Sequence, residues 1–216
     1  MLPPWRRPVQ RLLRPPPAGA GDALSGLPRG SRCRVVVSSA LARYALVPFS
    51  DAVVGREANE ALAAHVLRRT HGERVDAWRI RVAPAPAGHP RLACALDAAL
   101  LDQLFAAARE RGILLSSVEP AFVAGFNAAY RRLPASCWLA AAEPGRLALG
   151  LLVDGRWVHV AAERHAADAR SAVRRALARE ALLVQEKEDA AALPCWVVRF
   201  GFDQEKVFPA PERMAA

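Results

Sequence analysis

The chain has 216 residues, 53% of them hydrophobic, and a formal net charge of +9. That is enough for a sizeable core in one large or two small domains, and no apolar run reaches the roughly 18 residues of a spanning helix. Only Lys187 and Lys206 of the 30 basic residues are lysine; the other 28 are arginines spread over the chain, beside abundant Ala and Pro. This is the mark of GC-rich codon usage. It lacks the clustered face with interleaved aromatics that nucleic acid requires, so no nucleic-acid partner is expected. The four cysteines, Cys33, Cys94, Cys137 and Cys195, are isolated. Without a C-x-x-C spacing they read as reduced core thiols, which fits a cytoplasmic protein.

Residues 1–32 are rich in Pro and Arg, with Pro15 to Pro17 consecutive. They read as a mostly disordered arm with at most one turn, around Val9 to Leu13. Val35 to Ser38 is a buried strand. Ser38-Ser39-Ala40 permits a tight reversal into a second strand, Leu41 to Val47, closed by Pro48, so the pair reads as a hairpin. Glu57 to His71 is helical, with Ala58, Leu62, His65 and Val66 on one face, and His65 reads as a packed core histidine. Ala77 to Val82 alternates: Trp78, Ile80 and Val82 face one way, Arg79 and Arg81 the other.

The central unit runs from Arg91 to Ala129. A strand at Leu92 to Leu96 meets a helix capped by Asp97, whose apolar face carries Leu100, Leu101, Leu104, Phe105 and Ala108. Gly112 supplies a left-handed stop. A strand, Ile113 to Val118, follows, and Pro120 opens the next helix. Ala135 to Ala142 is a strand. Asp154-Gly155 between Leu147–Val153 and Arg156–Ala162 suits a type I′ hairpin, where both central residues need positive φ. The last long helix is Asp168 to Gln185, with Val173, Leu177 and Leu182 on its buried side. Glu186 to Asp189 is a charged exit, Pro194 to Phe200 a final strand, and the tail from Gly201 is loose. Two blocks of hairpin, helix and strand meet near Leu133 and Pro134, giving an α/β protein with mixed sheets flanked by helices.

Three stretches carry a family resemblance: VVVSSALARYALVPFSD, ACALDAALLDQLFAAARERGILLSSVEPAFVAGFNAAY and LALGLLVDGRWVHVAAER. From about Val35 to Leu183 they resemble the actin-like (ribonuclease H-like) ATPase fold of the type IV pilus protein PilM and of the cytoplasmic domain of the type II secretion protein GspL. The resemblance implies a truncated actin-like topology. Residues 33–133 form a first half with a small inserted subdomain, and residues 134–216 form a reduced second half.

It also implies two phosphate-binding turns. The first, a strand with a Gly/Ser-rich turn, has no counterpart before Val35. The second falls on Ala141-Ala142-Glu143-Pro144-Gly145-Arg146. Pro144 offers no N–H there and Glu143 would repel phosphate. ATP binding and catalysis are therefore not expected, and no cofactor is expected. By resemblance, the chain is a non-catalytic, cytoplasmic scaffold peripheral to the inner membrane. Its partner is the cytoplasmic tail of a bitopic inner-membrane protein, held in a groove bordered by Phe49, Arg79 and Arg81; homodimerisation is left open. The competing readings are an actin-like nucleotide-binding ATPase and a basic nucleic-acid-binding protein.

The sequence carries no nucleotide, hydrolase or zinc motif. His159 lacks companion ligands, and Ser38-Ser39 and Ser116-Ser117 serve local backbone groups. Glu119 reads as a solvated carboxylate at a helix start.

Overall fold

Strand β1 (Val9–Leu13) lies where the sequence suggests a disordered arm. It pairs in parallel with β2 (Arg32–Val37), from Val9 opposite Cys33 to Leu13 opposite Val37. The structure, a computed structural model, describes residues 9–13, 21–166, 168–184, 190–201 and 211–214. The rest of the expected arm (1–8 and 14–20), the charged exit at 186–189 and tail residues 202–210 lie outside the described residues. A parallel pair is joined by a crossover and leaves no local turn signal, so VQRLL alone is too short to read as a strand. Leu13 and Leu24 are both buried, which makes this stretch part of the core.

β2 is the middle strand of a three-stranded sheet, with β6 (Leu114–Pro120) parallel on its other side. The expected hairpin with the next strand, β3 (Ala42–Val47), does not form. Both edges of β2 are taken, and the turn in which the Leu41 N–H donates to the Ser38 carbonyl (2.9 Å) carries the chain into a second sheet. That sheet is antiparallel, in the order β3-β5-β4, with β4 spanning Trp78–Val82 and β5 Arg91–Asp97. Helix α1 (Arg56–His71) packs on it through Ala63 and Leu67, against Val75, Ile80, Ala93 and Ala95. His65 points to solvent, since the buried stripe is one residue out of phase with the one expected. On β4 the alternation holds: Ile80 is buried while Arg79 and Arg81 are exposed.

Helix α2 (Ala98–Glu110) starts as the sequence predicts. The Asp97 carboxylate accepts from the N–H groups of Ala99 (2.8 Å) and Leu100 (3.3 Å). Such a cap contributes about 1 kcal/mol. Leu101, Leu104 and Ala108 are buried, whereas Phe105, about 100° round the helix from Leu104, stands 46% exposed. Gly112 takes φ 64° as expected. The strands on either side of α2 lie in different sheets, so α2 bridges the two. Helix α3 (Ala121–Ala129) has Pro120 as its N-cap and buries Phe122, Ala124 and Gly125.

The C-terminal part is a five-stranded sheet in the order β11-β10-β7-β8-β9. Its strands are β7 (Cys137–Glu143), β8 (Arg146–Val153), β9 (Arg156–Arg164), β10 (Cys195–Arg199) and β11 (Glu212–Met214). β11 adds a short antiparallel strand where the sequence shows only a loose tail. Asp154 and Gly155 take φ 49° and 75°, the turn expected of them.

Every residue of β7 is buried, because the strand serves two cores. Cys137, Leu139 and Ala141 pack towards α3, while Trp138, Ala140 and Ala142 pack towards helix α4 (Ala169–Leu183). The small alanines let helices approach both faces. α4 buries Ala172, Val173, Ala176, Glu180 and Ala181, and Leu182 is 66% exposed instead of buried. No helix among the described residues is long and apolar enough to cross a membrane.

The core towards α3 ties the sheets together. Phe122 contacts Tyr44 of β3 and Trp157 of β9 (ring centroids 5.5 Å for each), and Trp157 meets Phe126 at 5.0 Å. Gly150 of β8 faces this cluster and leaves the space that the rings fill.

Candidate functional site

β3 is an edge of the antiparallel sheet and β9 an edge of the five-stranded one, and the two run close together without pairing. Along their edges lie three open cavities of about 370, 410 and 420 Å³. The first two share Tyr44, His71 and Val160, and the second and third share Ala40, Arg146 and Arg164, so they form one elongated cleft. Its α1 end is lined by Leu46, Val66, Leu67 and Val158; its other end is bordered by the Ser38–Leu41 turn and the turn between β7 and β8.

Glu143 decides the chemistry of that second end. It is 2% exposed, and its Oε1 accepts from the backbone N–H of Ser39 at 2.8 Å. The sequence suggests repulsion of phosphate at this position. The structure shows the carboxylate itself bound to a turn N–H, across the boundary between the two sheets. Ser39 Oγ lies 3.3 Å from the Tyr44 hydroxyl, which also accepts from the Phe122 N–H at 3.4 Å. Burial pushes the Tyr44 phenol well above its ordinary value, so it stays neutral. On the other side, His165 Nε2 lies 3.0 Å from the Glu143 carbonyl and 3.2 Å from that of Arg146. Since both partners are acceptors, Nε2 carries the proton. The turn Glu143-Pro144-Gly145-Arg146 is thereby fixed from both ends.

Among the described residues, Phe49, Arg79 and Arg81 make no contact with one another, and each has partners of its own. The Arg91 guanidinium lies over the Phe49 ring, 5.4 Å from its centroid, and bonds Asn59 of α1. Arg79 pairs with Asp102 of α2 at 3.2 Å, and Arg81 pairs with Glu60 of α1 at 3.1 Å. Both arginines point outward as expected, but each already has a carboxylate partner. Among the described residues, Phe49 is linked to Arg81 through Arg91 and the adjacent α1 residues Asn59 and Glu60.

The other candidates are structural. Glu119 is not a solvated carboxylate: it pairs with Arg34 at 2.7 Å across β2 and β6 and accepts from Asn127. Burial alone would raise its carboxyl, but the Arg34 hydrogen bond and charge, with Ser117 and Asn127, hold it below its ordinary value. His159 meets the buried Glu180 at 2.7 Å, and Glu180 also receives the Arg179 Nε–H at 2.9 Å. Ser116 Oγ donates to the Cys33 carbonyl at 3.0 Å, a backbone partner across β6 and β2 and 83 residues away instead of the local one expected, whereas Ser38 Oγ accepts from the Ala40 N–H at 3.2 Å, a local role of the kind expected. No group of His, Cys, Asp and Glu among the described residues could hold a metal.

No family model matches the sequence, and no curated protein does. Solved structures do match. The cytoplasmic domain of EpsL, an inner membrane component of the type II secretion system of Vibrio cholerae, aligns over 87% of this chain with a TM-score of 0.54 and 12% identity. The chain shares the fold of that domain. The α/β, actin-like topology inferred from the sequence stands with it. The chain spans 66% of the EpsL domain's length. A PilM–PilN type IV pilus biogenesis complex aligns over 71% of this chain and 49% of its own (TM-score 0.45, 17% identity). A Bacteroides thetaiotaomicron protein described as having an actin-like ATPase fold and unknown function aligns over 81% of this chain and 62% of its own (TM-score 0.43, 10% identity).

Proposed function

We propose that this chain is a non-catalytic scaffold in the cytoplasmic platform of a type II secretion or type IV pilus machine. In this reading it sits peripheral to the inner membrane and holds the cytoplasmic tail of a bitopic membrane protein. Residues 33–133 and 134–216 are its two halves. The observation that carries the reading is the fold shared with the EpsL cytoplasmic domain. The placement of Glu143 supports the non-catalytic part, because at the second phosphate turn that the resemblance implies a buried carboxyl group, bonded to the Ser39 N–H, stands where a phosphate would have to sit.

The outward face of Phe49, Arg79 and Arg81 remains the proposed tail-binding surface. A tail that uses it must displace or bridge the Asp102 and Glu60 carboxylates that Arg79 and Arg81 already hold. The test is co-purification with the cytoplasmic segment of a co-encoded single-span protein. Retention by the wild type and its loss in Arg79→Glu/Arg81→Glu is expected. Retention unchanged by that double substitution refutes the face, and failure of the wild type to retain the segment refutes the function. A thermal shift with Mg-ATP would reinstate the ATPase reading.

A further inference from the structure

The β8–β9 hairpin contains a register shift. Near its turn, Val153 faces Arg156 and Leu152 faces Trp157; beyond a bulge at Leu151/Leu152, Leu151 faces His159 and Val158 is the extra residue. An unbroken two-residue hairpin would set Arg146 opposite Glu163, a favourable cross-strand pair. The bulge instead sets Arg146 directly opposite Arg164 and moves Glu163 opposite Leu147. Like charges directly opposite are destabilising, and bulges recur next to functional sites, where they re-aim side chains. Glu163 is drawn off by Arg179.

A third guanidinium reaches the same cavity from the other wall. Arg43 of β3 is held by the carbonyls of Ala40 (3.2 Å) and Ala42 (2.7 Å), with its Cζ 6.0 Å from the Trp78 ring centroid. None of Arg43, Arg146 and Arg164 forms a salt bridge among the described residues, although nine such bridges occur elsewhere in them. Burial holds Arg146 below its ordinary value, the charges of Arg164 and Arg43 add to this, and the charge of Glu143 opposes it. The neighbouring carboxylate, Glu143, is turned to Ser39. Two sheets therefore bring three arginines without carboxylate partners to one cavity of about 410 Å³.

We infer that this cleft binds an extended acidic segment of a partner protein, its carboxylates on Arg43, Arg146 and Arg164 and an apolar side chain towards Leu46, Val66 and Val158. The shape favours a peptide over a compact ion. The lining of β9 runs from Val158 to Arg164, about 20 Å at the strand rise, the reach of roughly six extended residues. The arginines border one end of that length and apolar residues the other. This site is separate from the Phe49, Arg79 and Arg81 face, and it stands on the arginines whichever machine the chain serves.

The test uses fluorescence anisotropy with the full chain and a labelled synthetic peptide of about ten residues, two leucines followed by four glutamates at its centre. The acidic peptide should bind at about 50 mM salt and weaken steeply by about 300 mM. Arg146→Glu/Arg164→Glu should weaken it by about tenfold or more, whereas Arg174→Glu/Arg175→Glu, the same charge change on exposed α4 positions, should leave it within about twofold. The glutamine counterpart of the peptide should bind about tenfold more weakly. Where a thermal melt shows the Glu double variant to be unfolded, the single Arg146→Gln and Arg164→Gln variants replace it, each expected to weaken binding about threefold. Equal binding of the glutamine peptide, equal loss in the α4 variant, or no binding overturns the inference. So does full displacement by pyrophosphate at the peptide's own concentration, which would make the site one for small anions, or tighter binding of an oligonucleotide. Because the peptide is synthetic, failure here is distinct from failure of the membrane-tail assay.

Discussion

Gly150→Ala tests whether the aromatic contact between the sheets is as tight as it looks. A Cβ at Gly150 would lie 2.5 Å from Phe122 Cζ and 2.7 Å from Trp157 Cζ3. Ordinary carbon contacts are about 3.5–4.0 Å, so both rings would have to retreat by about 1 Å. Phe122 is fully buried and backed by Tyr44, and Trp157 is backed by Phe126. Overpacking of this kind costs about 1–3 kcal/mol. Alanine recovers roughly 0.5–1 kcal/mol through the lower backbone entropy of the unfolded chain. The net expectation is a loss of about 1–2 kcal/mol, or about 2–8 °C in Tm for a chain of this size. Urea unfolding followed by tryptophan fluorescence measures it, with Trp157 beside the site. Phe122→Leu removes the ring that the new methyl meets, so the double variant should be about 1 kcal/mol more stable than the two single losses imply. Gly150→Ala as stable as the wild type, or additivity in the cycle, would refute the reasoning.

Glu143→Ala strips a charged acceptor from the buried Ser39 N–H and should cost about 1.5–3 kcal/mol in urea unfolding, with Glu143→Gln losing less than half of that; equal stability of all three would remove the tie. Asp97→Ala removes an N-cap bonded to two N–H groups and should cost about 1 kcal/mol, and Asp168→Ala removes a second cap of the same kind; each is read as a lower urea midpoint. The Glu119 carboxyl is held below its ordinary value in the fold, so its contribution is present above pH 4.5 and is lost as the pH falls through the lower folded value. Glu119→Gln should flatten that part of the stability–pH curve, and an unchanged slope would contradict the Arg34 pairing. Burial pushes the thiols of Cys94 and Cys137 up to about 11 and that of Cys195 to about 12, so alkylation near neutral pH should be slow until denaturant is added.

The readable parts of this fold are those specified by neighbours in sequence. Asp97 and Gly112 bound their helix, Asp154-Gly155 makes its turn, and the alternation of β4 sends Arg79 and Arg81 outward. The parts that escape depend on distant partners. β1 is a strand because β2 offers it an edge, and β2 makes no hairpin with β3 because β6 fills its other edge. The carboxylates that meet Arg81 and Arg79 lie 21 and 23 residues away on two helices. At the cleft, Glu143 is a visible departure from a phosphate loop, yet its bond to Ser39 spans 104 residues. The facing of Arg146 and Arg164 rests on one extra residue, Val158, in a strand with no glycine or proline to mark a bulge.

A carboxylate that belongs to the chain makes the spacing of the cleft walls independent of supply. Where a dissociable anion bridges two walls, their separation follows its concentration and so reports on metabolism. Glu143 is present at one equivalent in every molecule from the moment of synthesis. The setting of the two turns it joins is then inherited with the gene.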